Sequence, residues 1–380
     1  FGAAAPVALA CAMAGLPKMM ALNKAAPLEF FIFGHPVTMS PSPDIHNTGF
    51  AENGFPHRYL RFDAADAGDV VEKLRQPNCG GGSVTIPHKE SVLKVMDVLS
   101  DSAQVIGAVN TITKSEDGKL YGDNTDWLGI KNQLESRLPP SREGLTCLLC
   151  GAGGTARAAC YAFTKMGASK VLIYNRTVER AEGLAKEFGF EVCRDLAQLA
   201  SLDRLDIIVD TLPGATGFTL PDASVLSRLR PVVLEAAYIP RRTAFLSQAM
   251  AAGCQVVEGV EMLFEQGCAQ CEIWTGMSAP RSKIAATMLR ELFTPGSAHP
   301  AYAKMEPYDA LPTSLAQEGQ EAHRVYNISP EIFARIAAGG SMTQVEISAL
   351  LGGSVTAAPA AAAATTKSKS MKVSKKKAKG

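Results

Sequence analysis

The sequence has little of what marks disordered, fibrous, secreted or membrane proteins. Charged residues make up 20% of its 380 residues and aromatic residues 7%, beside 47% hydrophobic residues, a balance typical of a globular chain of about two to three domains. No run of about 18 apolar residues predicts a membrane span. The six histidines show no H-E-x-x-H or similar spacing, so no metal site is predicted. Basic and acidic residues number 38 and 37, so no overall charge indicates a nucleic-acid or membrane partner.

Charge is nevertheless uneven along the chain. Seven lysines lie in the last fourteen residues, which leaves the other residues a formal charge of −6 within a total of +1. Lysines spaced by Ser and Ala at a chain end are typical of a solvated terminus, with a localisation or nucleic-acid patch as the alternative. We therefore expect residues 294–380 to be an appended segment, with short helices within Pro330–Leu351 and a low-complexity basic tail.

The cysteines indicate a reducing compartment. Nine of them, an odd number, are scattered along the chain without a recognisable secretory start. The pairs Cys147/Cys150 and Cys268/Cys271 have the C-x-x-C spacing of zinc ligands, but the two pairs lie more than about a hundred residues apart, far from zinc-finger spacing. Cys147 and Cys150 also lie in a predicted strand, where positions i and i+3 point to opposite faces. We predict core thiols and a cytoplasmic protein. Organelle targeting stays open, because the chain starts without Met.

Strand-like and helix-like segments alternate along the chain, which predicts an α/β fold. Before a proline-marked break near Leu138, the predicted strands are Leu28–Phe33, His57–Phe62 and Ser83–Ile86, and the predicted helices are Ala67–Arg75 and His88–Leu99. After the break, the predicted strands are Leu145–Cys150, Lys170–Tyr174, Asp206–Val209 and Val232–Glu235, followed by a closing helix at Ile284–Phe293. This second half has a doubly wound pattern.

The same pattern divides the chain into domains. We predict an N-terminal α/β substrate-binding catalytic domain over residues 28–130, completed by C-terminal helices over about 262–293. A doubly wound Rossmann-type domain is predicted over residues 131–261, with a cleft between the two domains, and its glycine-rich turn and Arg176 predict that it is the NADP-binding domain. The Ala-rich residues 1–27 are interpreted as a leader or as the remnant of a preceding domain.

A glycine-rich turn follows the predicted strand Leu145–Cys150 and opens a predicted helix over Ala158–Met166. The turn consists of Gly151, Ala152, Gly153, Gly154 and Thr155. Glycine there lets the backbone approach a pyrophosphate at the helix N-terminus. The next strand ends in Asn175, Arg176 and Thr177. The acidic residue that binds the free ribose 2′-hydroxyl in NAD-binding domains is missing there. Because Arg176 and Arg180 can pair with a 2′-phosphate, NADP is predicted rather than NAD.

Polar residues cluster in the predicted substrate domain more densely than a plain core requires. They are Ser40, Ser42, Thr85, Lys89, Asn110 and Asp126. The two serines follow the first strand on a proline-stiffened segment, where their hydroxyls can bind a small carboxylate. Each residue alone also fits an ordinary turn or helix start. Together they predict that Lys89 and Asp126 share one cleft.

Motifs in the same order occur in the shikimate dehydrogenase family, which this chain resembles over about residues 28–293. The motifs are Ser40-x-Ser42-Pro43 with His46-Asn47, Val84-Thr-Ile-Pro-His-Lys89, Ile106-Gly-Ala-Val-Asn-Thr111, Asn124-Thr-Asp126, Gly151-Ala-Gly-Gly-Thr155, Asn175-Arg-Thr177, and Glu261-Met-Leu263 with Gln266-Gly267. The version is similar to the dehydrogenase domain of multifunctional aromatic-pathway enzymes of fungi. The resemblance implies reversible NADPH-dependent reduction of 3-dehydroshikimate to shikimate without a metal, in chorismate and aromatic amino acid biosynthesis, and possible membership of a larger multifunctional polypeptide.

The resemblance also implies roles for single residues. Lys89 and Asp126 match the catalytic pair. The positions that hold the substrate carboxylate and ring hydroxyls are matched by Ser40, Ser42, Thr85, Asn110, Tyr238 and Gln266. The cofactor positions are matched by Gly151, Ala152, Gly153, Gly154, Thr155, Asn175, Arg176, Thr177, Arg180, Gly259 and Met262. Nothing in the family matches the segment after Pro295, so residues 28–293 are expected to suffice for activity.

Three departures from the pattern of single-domain members stand out. Ser83 lies where many members have Asn. Val209-Asp-Thr-Leu-Pro213 replaces an Asn-Ala-Thr type of turn, and Leu234-Glu-Ala-Ala-Tyr238 replaces a run with Asp before the tyrosine. The departures concern contacts at the cofactor edge and leave the catalytic pair unchanged.

Two alternative functions stay open. A quinate/shikimate dehydrogenase would use the same residues on a saturated ring, usually with NAD in its dedicated forms, and Arg176 counts against it. A non-catalytic regulator similar to quinate-pathway repressors would keep the fold for ligand sensing. Lys89 and Asp126 count against the regulator, because a sensor needs no proton donor.

Overall fold

Two β-sheets of six strands each organise the described part of the chain. The structure is a computed structural model, and it describes residues 26–140, 143–293 and 312–318. These residues belong to one compact unit. Within them, every helix is too short or too polar to cross a membrane.

The first sheet is built from the N-terminal part of the chain. Its strands are β1 Glu29–Gly34, β2 Arg58–Asp63, β3 Cys79–Val84, β4 Val98–Leu99, β5 Thr111–Lys114 and β6 Leu120–Asp123, in the order β2-β1-β3-β5-β6-β4. β1 pairs in parallel with β2 and β3, while β5 and β6 form an antiparallel hairpin. The aromatic run of β1 explains its place inside the sheet, because Phe30 and Phe33 are fully buried.

Helices α1 Ser42–Glu52, α2 Ala67–Arg75 and α3 Asp101–Ile106 pack around this sheet. A capping box begins α2: the Asp66 carboxylate accepts from the Asp69 N–H at 3.1 Å, and the Asp69 carboxylate accepts from the Asp66 N–H at 3.2 Å. The Ser100 hydroxyl oxygen accepts from the Ala103 N–H at 3.1 Å and begins α3. Local capping therefore fixes where two of these helices start.

The second sheet is entirely parallel. Its strands are β7 Leu145–Cys150, β8 Ala168–Tyr174, β9 Glu191–Val192, β10 Ile207–Asp210, β11 Val232–Glu235 and β12 Val256–Val257, in the order β12-β11-β10-β7-β8-β9. Counted from β7, this is the 3-2-1-4-5-6 order of a dinucleotide-binding sheet. Its helices are α4 Asp126–Glu135, α5 Gly154–Lys165, α6 Val178–Phe188, α7 Ser224–Leu229 and α8 Ala244–Ala251. Core clusters lie on both faces, one containing Cys147 and the other Cys150.

Two further helices, α9 Gly259–Thr275 and α10 Arg281–Phe293, return the chain to the first sheet. Trp274 of α9 is fully buried, and its ring lies 5.0 Å from that of Phe30. Helical residues 313–318 pack on these two helices. Leu315 is fully buried in the same core cluster as Phe264 of α9. These contacts pack the two helices on the first sheet, and the domain bounds given above stay a prediction.

Most predicted elements are observed with small shifts of their ends. The observed elements within three residues of their predicted bounds are β1, β2, β7, β8, β10, β11, α2 and α10. Each carries a dense apolar or amphipathic pattern bounded by turn residues. The predicted helix over Ala158–Met166 begins earlier, at Gly154, and the predicted strand Ser83–Ile86 is β3, which begins at Cys79 and ends at Val84.

The predicted helix over His88–Leu99 is wrong. The segment contains a short 3₁₀ turn, Val92–Val95, followed by β4. The Asp97 N–H donates to the Leu120 carbonyl at 2.9 Å, and the Leu120 N–H donates to the Asp97 carboxylate at 2.8 Å. Pairing with β6 at the sheet edge therefore overrides an apolar spacing that suits a helix. The predicted helices within Pro330–Leu351, the basic tail and residues 1–25 lie outside the described residues.

Candidate active site

A cleft of about 360 Å³ lies between the two sheets. Residues after β1, β3, β10 and β11 line it, together with the start of α4 and one face of α9. Parallel strands end at one edge of a sheet, which brings the residues that follow them together. The structure places all the predicted catalytic and substrate residues on the cleft wall, namely Ser40, Ser42, Thr85, Lys89, Asn110, Asp126, Tyr238 and Gln266.

Lys89 and Asp126 form a buried ion pair in this cleft. Lys89 lies in the turn after β3, and Asp126 is the first residue of α4. The Lys89 ammonium donates to Asp126 Oδ2, and the two side chains are 12% and 5% exposed. The ammonium also donates to Thr155 Oγ1 at 3.2 Å. Since Thr155 belongs to α5 of the second sheet, one ammonium group contacts both sides of the cleft.

The second oxygen of Asp126 is also bound. Asn110 Nδ2 donates to Asp126 Oδ1 at 2.7 Å, and the Asp126 N–H donates to Asn124 Oδ1 at 3.0 Å. Asn110 is fixed in turn, because its Oδ1 accepts from the Thr125 N–H and from the Thr111 hydroxyl, each at 2.7 Å. The carboxylate therefore has one orientation, with Lys89 on one oxygen and a neutral amide on the other.

Gln266 reaches this network from α9. Its Oε1 accepts from Asn110 Nδ2 at 3.2 Å, and its Nε2 donates to the Leu263 carbonyl at 3.0 Å. One amide of Asn110 thus contacts both the carboxylate of the ion pair and Gln266. The cleft contains a continuous set of polar groups with defined donor and acceptor roles.

Hydroxyl groups form another part of the wall. Ser40 Oγ donates to Ser42 Oγ at 3.0 Å, and both serines are buried. Burial raises the pKa of the Tyr238 phenol, which bonds Ser40, so the phenol stays a neutral donor. Thr85 adds a hydroxyl just after β3, and Arg61 Nε donates to the Ser40 carbonyl at 2.8 Å. Neutral hydroxyls near one guanidinium suit a bound carboxylate.

A buried chain of hydrogen bonds lies behind the cleft, and the sequence motifs do not predict it. The Tyr59 hydroxyl donates to Ser83 Oγ at 2.7 Å, and Ser83 Oγ donates to Gln270 Oε1 at 2.7 Å. Gln270 Nε2 then donates to the Asn110 carbonyl at 3.1 Å. The spacing of Gln266 and Gln270 indicates that both lie on one helix face, since they are four residues apart. Only Gln266 belongs to a family motif.

The glycine-rich turn has the geometry of a phosphate cradle. Gly151 has φ +114°, and a Cβ there would lie 2.2 Å from Thr211 Oγ1. A Cβ on Gly153 would meet nothing within 4 Å, so open space lies in front of the first turn of α5, which no side chain caps. Free N–H groups at a helix start bind anions, and the residues present therefore fit a dinucleotide pyrophosphate. Gly154 lies against Lys89, since its Cβ would be 3.0 Å from the lysine Cβ.

The predicted 2′-phosphate residues lie outside the cleft, in the turn after β8 and the start of α6. Arg176 and Arg180 are exposed, and Asn175 Nδ2 donates to the Thr177 carbonyl at 2.9 Å. The same strand end touches the glycine turn, because the Gly151 N–H donates to the Tyr174 carbonyl at 2.8 Å. The two arginines can therefore meet the far end of a nucleotide whose phosphates lie on α5.

The first turn of α9 supplies the last two predicted cofactor residues. Gly259 and Met262 both line the cleft. A Cβ on Gly259 would lie 2.5 Å from the Ala237 carbonyl oxygen, so only glycine lets α9 approach the turn after β11 this closely. Cofactor and substrate residues thus meet on one helix.

The described cysteines are all free, and they are Cys79, Cys147, Cys150, Cys160, Cys193, Cys254, Cys268 and Cys271. Burial raises the pKa of the thiols of both C-x-x-C pairs, so these thiols stay protonated in the core. Within residues 26–140, 143–293 and 312–318, no group of three His, Cys, Asp or Glu side chains could hold a metal ion.

Three family models match this chain. The model described as "Shikimate dehydrogenase substrate binding domain" matches residues 32–112, and "Shikimate / quinate 5-dehydrogenase" matches residues 133–221. "Shikimate 5'-dehydrogenase C-terminal domain" matches residues 259–289. The matched segments contain Lys89, the glycine turn, both arginines and Gln266.

Among curated proteins, the chain is similar to the pentafunctional AROM polypeptides of Eremothecium gossypii and Yarrowia lipolytica. The identities are 39% over 284 residues and 40% over 273 residues. The alignments cover 70% and 67% of this chain, but 18% and 17% of the relatives. The chain therefore spans less than a fifth of the length of the curated relatives it matches.

Solved structures show the same fold. The dehydroquinate dehydratase and shikimate dehydrogenase of S. pombe AroM is 34% identical with a TM-score of 0.59, covering 70% of this chain and 53% of that one. Shikimate 5-dehydrogenase of Thermus thermophilus in complex with NADP(H) and shikimate is 31% identical with a TM-score of 0.62, covering 69% and 99%. A 5-ketofructose reductase of Gluconobacter is 26% identical with a TM-score of 0.59, covering 70% and 99%. The fold alone therefore does not identify the substrate.

Proposed function

The chain belongs to the shikimate dehydrogenase family, and from this membership we propose that it catalyses the reversible reduction of 3-dehydroshikimate to shikimate with NADPH. The observation that carries the proposal is the Lys89–Asp126 ion pair. The pair lies in a cleft whose wall carries hydroxyl groups suited to bind a carboxylate, and beside a glycine-rich turn suited to bind phosphate. A ring ketone, a carboxylate and a dinucleotide each find matching groups there.

Lys89 is proposed as the proton donor. Reduction of a ketone leaves negative charge on its oxygen, so a donor is needed within about 3 Å of that atom. The Lys89 ammonium carries a proton and a positive charge into a mostly buried site, where it can stabilise the developing alkoxide before protonating it. Asp126 holds the ammonium, and Asn110 holds Asp126, so the lysine is oriented before substrate arrives.

The proposed substrate residues form two groups, one for the substrate carboxylate and one for the ring hydroxyls. Ser40, Ser42, Thr85 and Tyr238 offer neutral hydroxyls to the carboxylate. Asn110 and Gln266, together with the catalytic pair, meet the ring hydroxyls. In this proposal the substrate carboxylate binds away from Asp126, because two negative charges close together would repel each other.

NADP is the proposed cofactor, and when bound it supplies or accepts the hydride. The residues proposed to hold it are Gly151, Ala152, Gly153, Gly154 and Thr155 at the pyrophosphate, Asn175, Arg176, Thr177 and Arg180 at the 2′-phosphate side, and Gly259 and Met262 at the cleft. The structures of similar proteins with NADP(H) support this choice.

We also propose a wider context for the chain. Its curated relatives are pentafunctional polypeptides, so it is proposed to act in aromatic amino acid biosynthesis, as a part of such an enzyme or beside its other activities. Reduced core thiols support a reducing compartment such as the cytoplasm.

Quinate is a second candidate substrate, since one matching family model covers shikimate and quinate enzymes together. The deciding experiment measures initial rates of NADP and NAD reduction with shikimate and with quinate, using the full chain. Shikimate with NADP should give the highest kcat/KM. A preference for quinate with NAD would replace the proposal by its alternative, and absence of turnover with every pair would favour a ligand sensor.

A further inference from the structure

Two buried carboxyl groups lie side by side at the cleft edge of the second sheet, and the proposed chemistry uses neither. Asp210 is the last residue of β10 and Glu235 the last residue of β11, and the two are direct partners across the parallel strands. They are 2% and 1% exposed. Both lie in the runs where the sequence departs from the usual pattern, Val209–Pro213 and Leu234–Tyr238. The departures thus meet in space as a pair.

Each carboxyl group holds a backbone turn that lines the cleft. Asp210 Oδ1 accepts from the Leu212 N–H at 2.9 Å. Glu235 Oε1 accepts from the Ala237 N–H at 3.0 Å, and its Oε2 accepts from the Thr243 hydroxyl at 2.6 Å. The turns over 211–214 and 236–239 form the wall beside Gly259. The positions of both turns therefore depend on the pair.

The strand register sets the two buried carboxyl groups side by side, and adjacent buried carboxyl groups favour sharing one proton over ionising together. Burial, together with the charge of Glu235, raises the pKa of Asp210, and burial raises the pKa of Glu235, which accepts the hydrogen bond from Asp210. From β7 the neighbouring titratable group is the Cys150 thiol, which burial keeps protonated. In the loop after β11, Arg241 is held by Glu258 of the α9 start, and Arg242 follows it. Two adjacent anions in this environment would repel each other strongly.

We propose that Asp210 and Glu235 act as a one-proton positioning pair, whose shared proton joins the ends of β10 and β11 and so fixes the two turns that form the cofactor-side wall of the cleft. The inference rests on the proposed function only for its kinetic readout. Loss of the proton at alkaline pH would separate the carboxylates and displace both turns, so the affinity for cofactor and substrate would fall while Lys89 and Asp126 keep their contact.

Asp210→Asn provides the test, because an amide donates permanently to Glu235, still accepts from the Leu212 N–H and has no proton to lose. Between pH 7 and pH 9.5, KM for NADP should rise about tenfold more in the parent chain than in Asp210→Asn. A tenfold change corresponds to a difference of one unit between the pKa of the pair in the cofactor-bound protein and its pKa in the free protein. Other ionisations in the cleft are common to both proteins and cancel in the ratio. Asp210→Ala, which loses both bonds, should raise KM at every pH, and Asp203→Asn, an exposed position on the same lobe, should follow the parent.

Unfolding in urea gives a readout that does not require activity. A carboxyl group with a raised pKa in the folded state binds more protons there than in the unfolded chain, so stability falls as pH rises from about 4 to the folded pKa and then levels off. Asp210→Asn should remove most of this slope, and Asp203→Asn should keep it. Parallel KM profiles and parallel unfolding slopes for the parent and Asp210→Asn would overturn the pair. An inactive parent chain would overturn the proposed function instead, and the unfolding slopes would still decide the pair.

Discussion

Leu315→Ala should lower the free energy of unfolding of the full chain by about 2 to 3 kcal/mol and should weaken cofactor binding. Leu315 lies in the 312–318 segment, far along the chain from the cleft, yet it is fully buried in the core cluster that contains Phe264. Two polar contacts accompany it. The Ser314 N–H and hydroxyl both donate to Glu261 Oε1 at 2.7 Å, and Arg281 donates to Glu318 at 2.8 Å.

The magnitude follows from burial and from the position of the residue. Truncating a fully buried Leu to Ala costs about 2 to 5 kcal/mol in a core that cannot collapse. The low end applies here, because a short segment can detach and so limits the loss to its own docking free energy. The effect should reach the cleft through Glu261, whose carboxylate also accepts from the Glu258 N–H at 2.9 Å in the capping box that begins α9, beside Gly259 and Met262.

Urea unfolding followed by tryptophan fluorescence measures the first effect, since Trp274 is buried in α9. Steady-state kinetics measures the second, where KM for NADP should rise about three- to tenfold with kcat little changed. Gln317→Ala is the matched control, because Gln317 is exposed in the same segment. If Leu315→Ala alters stability no more than Gln317→Ala does, the segment is not bound to α9 in solution. Residues 28–293 would then suffice for activity, as the sequence motifs alone predict.

Three further predictions concern the catalytic pair and the cofactor residues. Lys89→Ala should lower kcat by about 10²-fold or more and change substrate affinity by no more than about an order of magnitude, because a transition-state proton donor is lost. Asp126→Asn should behave similarly. Near-full kcat of either variant in steady-state assays would assign that residue a binding or structural role. Arg176→Ala should lower the ratio of kcat/KM for NADP over NAD by about ten- to a hundredfold, since a charge-assisted interaction of roughly 1.5 to 3 kcal/mol is removed, and an unchanged ratio would mean that selectivity lies elsewhere. Gly151→Ala should weaken NADPH binding in fluorescence titrations by more than about tenfold and lower Tm, because its φ of +114° and the 2.2 Å approach to Thr211 exclude a Cβ; equal binding by Gly151→Ala and the parent would contradict the cradle.

The parts of the fold that sequence reasoning predicts are those encoded locally. β7 is an apolar run closed by Gly151, and β10 and β11 of the same sheet are equally apolar, so both type and position follow from hydrophobicity. The meeting of Lys89 and Asp126 is predictable for a related reason, because both follow strands or turns that end at one edge of an α/β layer. The position of Arg176 at a strand end is predictable from hydrophobicity, whereas its ligand is predicted from the residue type alone.

The parts that escape prediction depend on partners distant in sequence. The segment His88–Leu99 has helical spacing, but hydrogen bonds to Leu120 place its end in a sheet. Asp210 and Glu235 look like ordinary strand ends until the register of β10 and β11 sets them side by side. The buried contact of Ser83 with Gln270 joins residues that no local pattern relates. Side-chain pairing between separate elements, rather than propensity, decides each of these cases.

Helix α9 explains why the cofactor and substrate parts of the cleft are mechanically linked. One of its faces, with residues three or four positions apart, reaches the cofactor wall, the ion-pair network and the buried support behind it through Gly259, Met262, Gln266 and Gln270. Another face is fixed by ion pairs, Arg137 to Glu261 at 2.6 Å and Arg281 to Glu265 at 2.7 Å. A rotation of this helix would move both sets of residues together. Weakening its supports should therefore raise KM for NADP and for shikimate in parallel, whereas removing the Lys89 amine should change kcat and leave both KM values nearly in place.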